Sequence, residues 1–195
     1  MPERIGLYGG TFDPVHHGHL ILARDAAEQL MLQRVLFIPA AVSPHRTDHP
    51  PTASSAQRLD MLRMAITADP RFVIDECELH RPGPSYTFDT VTDIKSRYPR
   101  SRMYLLLGAD QLPRFPTWHR FMELRSIITF VVFNRAIGAE DLLTAAYPTL
   151  RRRLDISATE LRKRVASDLS IRYLVPGAVA DYIEQHQLYR EGTQP

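Results

Sequence analysis

The chain has one cysteine, Cys77, and one tryptophan, Trp118, among its 195 residues. A lone cysteine excludes an intrachain disulfide and fits a reducing compartment. No apolar run approaches the roughly 18 residues that a membrane span needs. The start, Met1-Pro2-Glu3-Arg4, has no apolar leader core. A cytoplasmic protein without a membrane partner is therefore expected. Strong charge is also missing: the net value is +2, and nucleic-acid binders usually carry more. The dense basic run, Arg151-Arg152-Arg153 with Arg162, Lys163 and Arg164 downstream, suits a solvated face or a small anion. Few aromatics lie near it and no RNP-like motif appears, so no nucleic-acid partner is expected. Internal repeats and low-complexity tracts are absent. What is present is a hydrophobic fraction of 44%, enough for one globular domain over 1–195.

Short apolar runs recur along the chain: Ile5–Tyr8, Val35–Ile38, Phe72–Ile74, Met103–Leu107 and Ile127–Phe133. They lack polar alternation, as strands covered on both faces do. Helical patterns separate most of them. Leu20–Leu32, Ser55–Thr67 (with Ser54 and Gln57 as a capping box) and Thr87–Tyr98 are the clearest. Strand and helix in alternation predict an α/β fold, Rossmann-like and doubly wound, with a mainly parallel sheet flanked by helices. A small helical C-terminal part is expected over about 157–195. There Ser157 and Glu160 open one helix as a capping box, and Pro176 takes the first position of another. Ala40–Ala53 and Leu112–His119, both rich in proline, read as loops.

The crowded stretch Tyr8-Gly9-Gly10-Thr11-Phe12-Asp13-Pro14-Val15-His16-His17-Gly18-His19 follows the first apolar run. In an open parallel sheet, ligands sit beyond the carboxyl ends of the strands. Paired glycines let the chain turn and approach a ligand, and Gly18 allows close packing at the next helix start. Helix N-termini favour phosphate. His16 and His19 stand three residues apart and share a helical face, whereas His17 points elsewhere. Phosphate recognition, metal ligation and plain packing are all open to such a pair. A metal site would want a third ligand, and neither zinc spacing nor an HExxH motif is present. The GxxxxGK[ST] and GxGxxG fingerprints are absent as well.

The block from Gly9 to His19 resembles the [HT]xGH signature of the nucleotidylyltransferase superfamily. Further segments resemble bacterial nicotinate-nucleotide adenylyltransferase over nearly the whole length: Pro44-His45-Arg46, Tyr86–Thr90, Gly108-Ala109-Asp110, Phe115–Trp118, Ile156–Arg162 and Val175–Tyr189. The resemblance implies adenylyl transfer from ATP to nicotinate mononucleotide, with Mg²⁺ carried in on ATP and no metal ligand from the protein. His16, His19 and Arg162 would be catalytic. Gly9, Gly10, Thr11, Phe12, Gly108, Asp110, Ser157 and Thr159 would complete the ATP site. Tyr86, Thr87, Asp110 and Trp118 would hold the mononucleotide, with the nicotinate carboxylate on backbone N–H groups near Thr87 and just after Trp118. His45 and Arg46 would reach the phosphates from a mobile loop. His80, His119 and His186 read as ordinary surface or packing residues.

Local physics runs beside these assignments. Asp110 ends a strand, where it can accept from ribose hydroxyls or cap a helix. Arg162 has the forked geometry that suits phosphate. Trp118 can stack on a pyridine ring or pack in the core. The chain departs from the family pattern at Arg46, where lysine is usual, at Ala158, where a second serine is usual, and after Asn134, where Arg-Pro-Gly is missing. The rival readings are a sister enzyme using the amide mononucleotide or phosphopantetheine, and a non-catalytic nucleotide-binding regulator. The sequence leaves the oligomeric state open.

Overall fold

In a computed structural model of the chain, residues 1–42, 50–134, 146–152 and 154–190 are described. His45 and Arg46, and the stretch after Asn134, lie outside them. The apolar runs become strands β1 (Arg4–Gly10), β2 (Arg34–Pro39), β3 (Phe72–Ile74), β4 (Arg102–Gly108) and β5 (Thr129–Asn134). A sixth strand, β6 (Thr149–Arg151), joins the sheet edge. All neighbours pair in parallel, in the order β3-β2-β1-β4-β5-β6.

Both faces of the sheet are covered, which is why its strands read as unbroken apolar runs. Tyr8, Phe37, Leu106, Val131 and Phe133 face one core with helices α1 (His17–Gln29) and α2 (Ser55–Ile66). Ile5, Leu7, Leu36, Leu105, Leu107 and Val132, at alternating positions, face the other. The second core is closed by α4 (Thr87–Arg97) and α5 (Phe121–Ile127), while the short α3 (Cys77–His80) follows β3. The C-terminal helices α6 (Ala158–Ala166) and α7 (Gly177–Gln185) pack on the first core through Leu161, Val179 and Ile183.

Ser54 and Gln57 form the reciprocal capping box at α2. At α6 only half of the expected box is made, with the Glu160 N–H donating to Ser157 Oγ at 3.2 Å. Pro176 is the N-cap of α7 rather than its first residue. The expected loop Leu112–His119 is mostly a 3₁₀ helix over Ala109–Thr117, whose tighter turn accommodates Pro113 and Pro116. Ile127 closes α5 instead of opening β5.

Candidate active site

β1 and β4 lie side by side, with Leu7 opposite Leu105, and both end in glycine, at Gly10 and Gly108. From β1 the chain leads outward on one side to β2 and β3. β4 leads on the other side to β5 and β6. Crossovers that part in this way leave a crevice at the carboxyl edge.

The glycine pair does not itself form the turn: Gly9 and Gly10 complete β1. The turn falls on Phe12, whose φ of 51° lies in the left-handed region. Gly10 is needed for another reason, since a Cβ there would come within 3.0 Å of the Phe12 ring. Phe12 is buried among Tyr8, Phe37 and His19, with its ring centroid 5.1 Å from that of His19.

His16 is the N-cap of α1. The rings of His16 and His19 stack, with centroids 3.7 Å apart and planes 22° apart. They are not equivalent. His16 is only 2% exposed, whereas His19 is half-buried. The His16 N–H donates to His19 Nδ1 at 3.2 Å. An accepting Nδ1 places the His19 proton on Nε2, which leaves that nitrogen as a donor. Gly18 makes room for the pair: a Cβ there would approach His16 Nδ1 to 2.8 Å and lie 3.6 Å from Ile156. The starts of α1 and α6 therefore meet beside the loop. The His17 N–H is turned away and donates to Leu174 O at 3.0 Å.

Arg162, on α6, donates from Nη1 to Asp13 O at 2.7 Å and from Nη2 to Thr159 Oγ1 at 3.5 Å. Ser157 and Thr159 are exposed at the start of the same helix. Thus Gly9, Gly10, Thr11, Phe12, His16, His19, Ser157, Thr159 and Arg162 gather at one edge, with Gly108 and the exposed Asp110 on the adjoining strand end.

Tyr86, Thr87 and Trp118 form a second group. Tyr86 is the N-cap of α4 and Thr87 its first residue, so the Thr87 N–H has no intrahelical acceptor. The Tyr86 ring lies 4.7 Å from that of His119, which brings the residue after Trp118 to the start of α4. Trp118 is half-buried, edge-on to Phe115 at 5.1 Å, and lines a cavity of about 600 Å³. It combines core contact with an open face.

The sequence reading missed Arg58 and Tyr189. Arg58 is 1% exposed. Its signal was available: Arg58, Met61, Leu62 and Ala65 fall on one helical stripe, and the other three are apolar. Tyr189 has no such signal, because its partner, Asp13, lies at the opposite end of the sequence. Burial pushes the Cys77 thiol up to about 12, so it is a poor thiolate nucleophile.

A cytidylyltransferase-like family model matches residues 7–164. The chain belongs to that family. The cytidylyltransferase-like match runs from β1 to α6 and leaves α7 and Tyr189 beyond it. Relatives extend further. A protein of Thermus thermophilus named probable nicotinate-nucleotide adenylyltransferase is 42% identical over 188 residues, covering 96% of this chain and 100% of its own. A second of that name, from Thermomicrobium roseum, is 41% identical over 198 residues, covering 96% and 92%. The resemblance read from the sequence therefore holds over nearly the whole chain. The fold is shared with Plasmodium falciparum nicotinic acid mononucleotide adenylyltransferase complexed with NaAD. That structure has a TM-score of 0.79 and 19% identity, with 96% of this chain and 97% of that one covered.

Proposed function

We propose that this adenylyltransferase joins ATP to nicotinate mononucleotide, giving nicotinate adenine dinucleotide and pyrophosphate by direct in-line attack. The mononucleotide phosphate is already an anion and needs no protein nucleophile. A phosphate oxygen bonds to the α-phosphorus of ATP as the bond to the β-phosphate oxygen breaks. The electron pair of that bond leaves with pyrophosphate. The protein must align two polyanions and meet the developing charge.

The observation that carries this reading is the stacked histidine pair at the start of α1, where His19 keeps a proton on Nε2. A protonated Nε2 is a donor to phosphate, not an attacking nitrogen, and this favours direct transfer over a nucleotidyl-histidine. Arg162 and the N-termini of α1 and α6 add positive potential beside it. Burial of His16 makes it the support that orients His19, with less of its own ring offered to phosphate. Asp110 accepts from ribose hydroxyls. Trp118 stacks on the pyridine, and the N–H groups at Thr87 and after Trp118 hold its carboxylate. His45 and Arg46 approach the phosphates in this reading.

His19, Arg162 and the helix N-termini on the ATP side offer donors for anions. Both Asp13 oxygens already accept from N–H or O–H groups. In this reading Mg²⁺ comes bound to the ATP phosphates and supplies charge neutralisation there. Among the described residues no helix is long and apolar enough to cross a membrane. Within this reading the enzyme works in the cytoplasm, where ATP is supplied.

The test is pyrophosphate release from ATP and Mg²⁺ with each acceptor in turn. Release with nicotinate mononucleotide and little with the amide is the expected result. Preference for the amide or for phosphopantetheine would favour a sister activity. No release with any acceptor would favour a regulator.

A further inference from the structure

We infer that Arg58 and Tyr189 are positioning residues for the triphosphate: together with Asp13 they hold the Gly10–Pro14 loop in its ATP-accepting shape. This rests on the adenylyltransferase reading and names parts of the site that neither the signature nor the family match singles out.

Five hydrogen bonds, received at Thr11 O and at the carboxylate and carbonyl of Asp13, fix the loop. Arg58 Nη1 donates to Thr11 O at 2.7 Å, and Nη2 donates to Ser55 Oγ at 3.1 Å. The Asp13 carboxylate accepts from Thr52 N–H at 2.8 Å, Ala53 N–H at 3.1 Å and Tyr189 O–H at 2.8 Å. The carbonyl of Asp13 accepts from Arg162. All of these donors belong to segments outside the loop.

The hold on Thr11 has a directional consequence. Carbonyl and N–H of a trans peptide point in opposite directions. With Thr11 O drawn to Arg58, the N–H of Phe12 is aimed away from it. That N–H donates to no acceptor among the described residues. Phe12 also sits at a φ of 51°, where a bulky side chain is rarely found. A conformation of that kind persists only where the surroundings over-determine it. Here Arg58 grips the peptide before Phe12, and Tyr189, through Asp13, grips the residue after it.

Burying this arginine is costly. It lies on the apolar stripe of α2, and its Nε is buried without a partner. Burial also lowers its pKa, against the opposing charge of Asp13. Removing it alone would leave Thr11 O without its donor and deprive the buried Asp13 carboxylate of a facing cation. Tyr189 is 5% exposed. Burial, and next the Asp13 charge, push its phenol up, so it remains a donor to Asp13.

The experiment compares Tyr189→Phe, Arg58→Met and Arg58→Lys with the wild type. Steady-state kinetics are measured for both substrates, together with Tm and calorimetric binding of MgATP in the absence of acceptor. For Tyr189→Phe the expected result is an ATP KM raised about ten- to a hundredfold, as loss of one hydrogen bond to a charged acceptor implies. The mononucleotide KM should stay at the wild-type value, while Tm should fall by a few degrees because the buried Asp13 carboxylate loses a donor. Arg58→Met should raise the ATP KM with some fall in Tm, since Thr11 O loses its donor, and Arg58→Lys should recover part of the KM loss. An ATP KM unchanged in both Tyr189→Phe and Arg58→Met would overturn the proposal. So would equal shifts in both KM values, which mark a merely structural role. A wild type that binds MgATP yet transfers to no acceptor would remove the adenylyl-transfer reading. Weaker MgATP binding by Tyr189→Phe would even then uphold the positioning claim.

Discussion

His16 and His19 divide between them what a bare spacing leaves undivided. Three residues apart on a helix means a shared face, and the stacked rings show it. Phe12 and Tyr8, from β1 and its turn, pack on the His19 ring, while the His16 ring lies buried close to Gly18, and local periodicity could not say which would be which. His19, with its donor Nε2, should carry the larger loss. His19→Ala is expected to lower turnover by roughly 10²–10³ with little change in Tm, measured by pyrophosphate release. Gly18 gives a complementary test. Alanine at a helical position ordinarily stabilises by about 1 kcal/mol over glycine. Here its Cβ would press on His16 at 2.8 Å. Gly18→Ala should therefore cost about ten- to a hundredfold in kcat through a displaced His16 ring, while the unfolding midpoint hardly moves.

At the scale of elements, legibility followed burial. Strands β1, β2, β4 and β5 were readable because covered faces demand unbroken apolar runs. β6 was not: β3 is as short and has only Phe72 buried, but all three of its residues are apolar, whereas in β6 Leu150 stands between Thr149 and Arg151 and leaves no apolar run. Proline at 113 and 116 marked a loop by habit, and the 3₁₀ geometry that tolerates both leaves no pattern of its own. The basic run was read as a solvated face or anion site, and one member does neither. Arg152 donates to Asp25 from Nε at 2.6 Å and from Nη2 at 3.0 Å, which ties the end of β6 to α1. The hydrogen bond from Arg152 holds the Asp25 carboxyl below the usual aspartate range. A depressed folded-state pKa adds stability above the unfolded value of about 4, and that stability is lost as pH falls through the lower one. Arg152 is nearly half exposed, so the contribution is screened. Asp25→Asn should destabilise by about 1 kcal/mol near pH 7, and the gap should close in acid, as followed by urea unfolding across pH.

For the whole molecule, the parallel sheet and its crevice were legible because alternation of strand and helix permits few topologies. The edge residues of the site came with it. The buried supports did not, because Arg58 and Tyr189 act through contacts far apart in sequence. Asp13 and Tyr189 are 176 residues apart, and their hydrogen bond is 2.8 Å long. The nucleotide loop near the beginning of the sequence is thus fastened by a side chain near residue 190, so trimming the chain back to Leu188 should loosen the loop as Tyr189→Phe does.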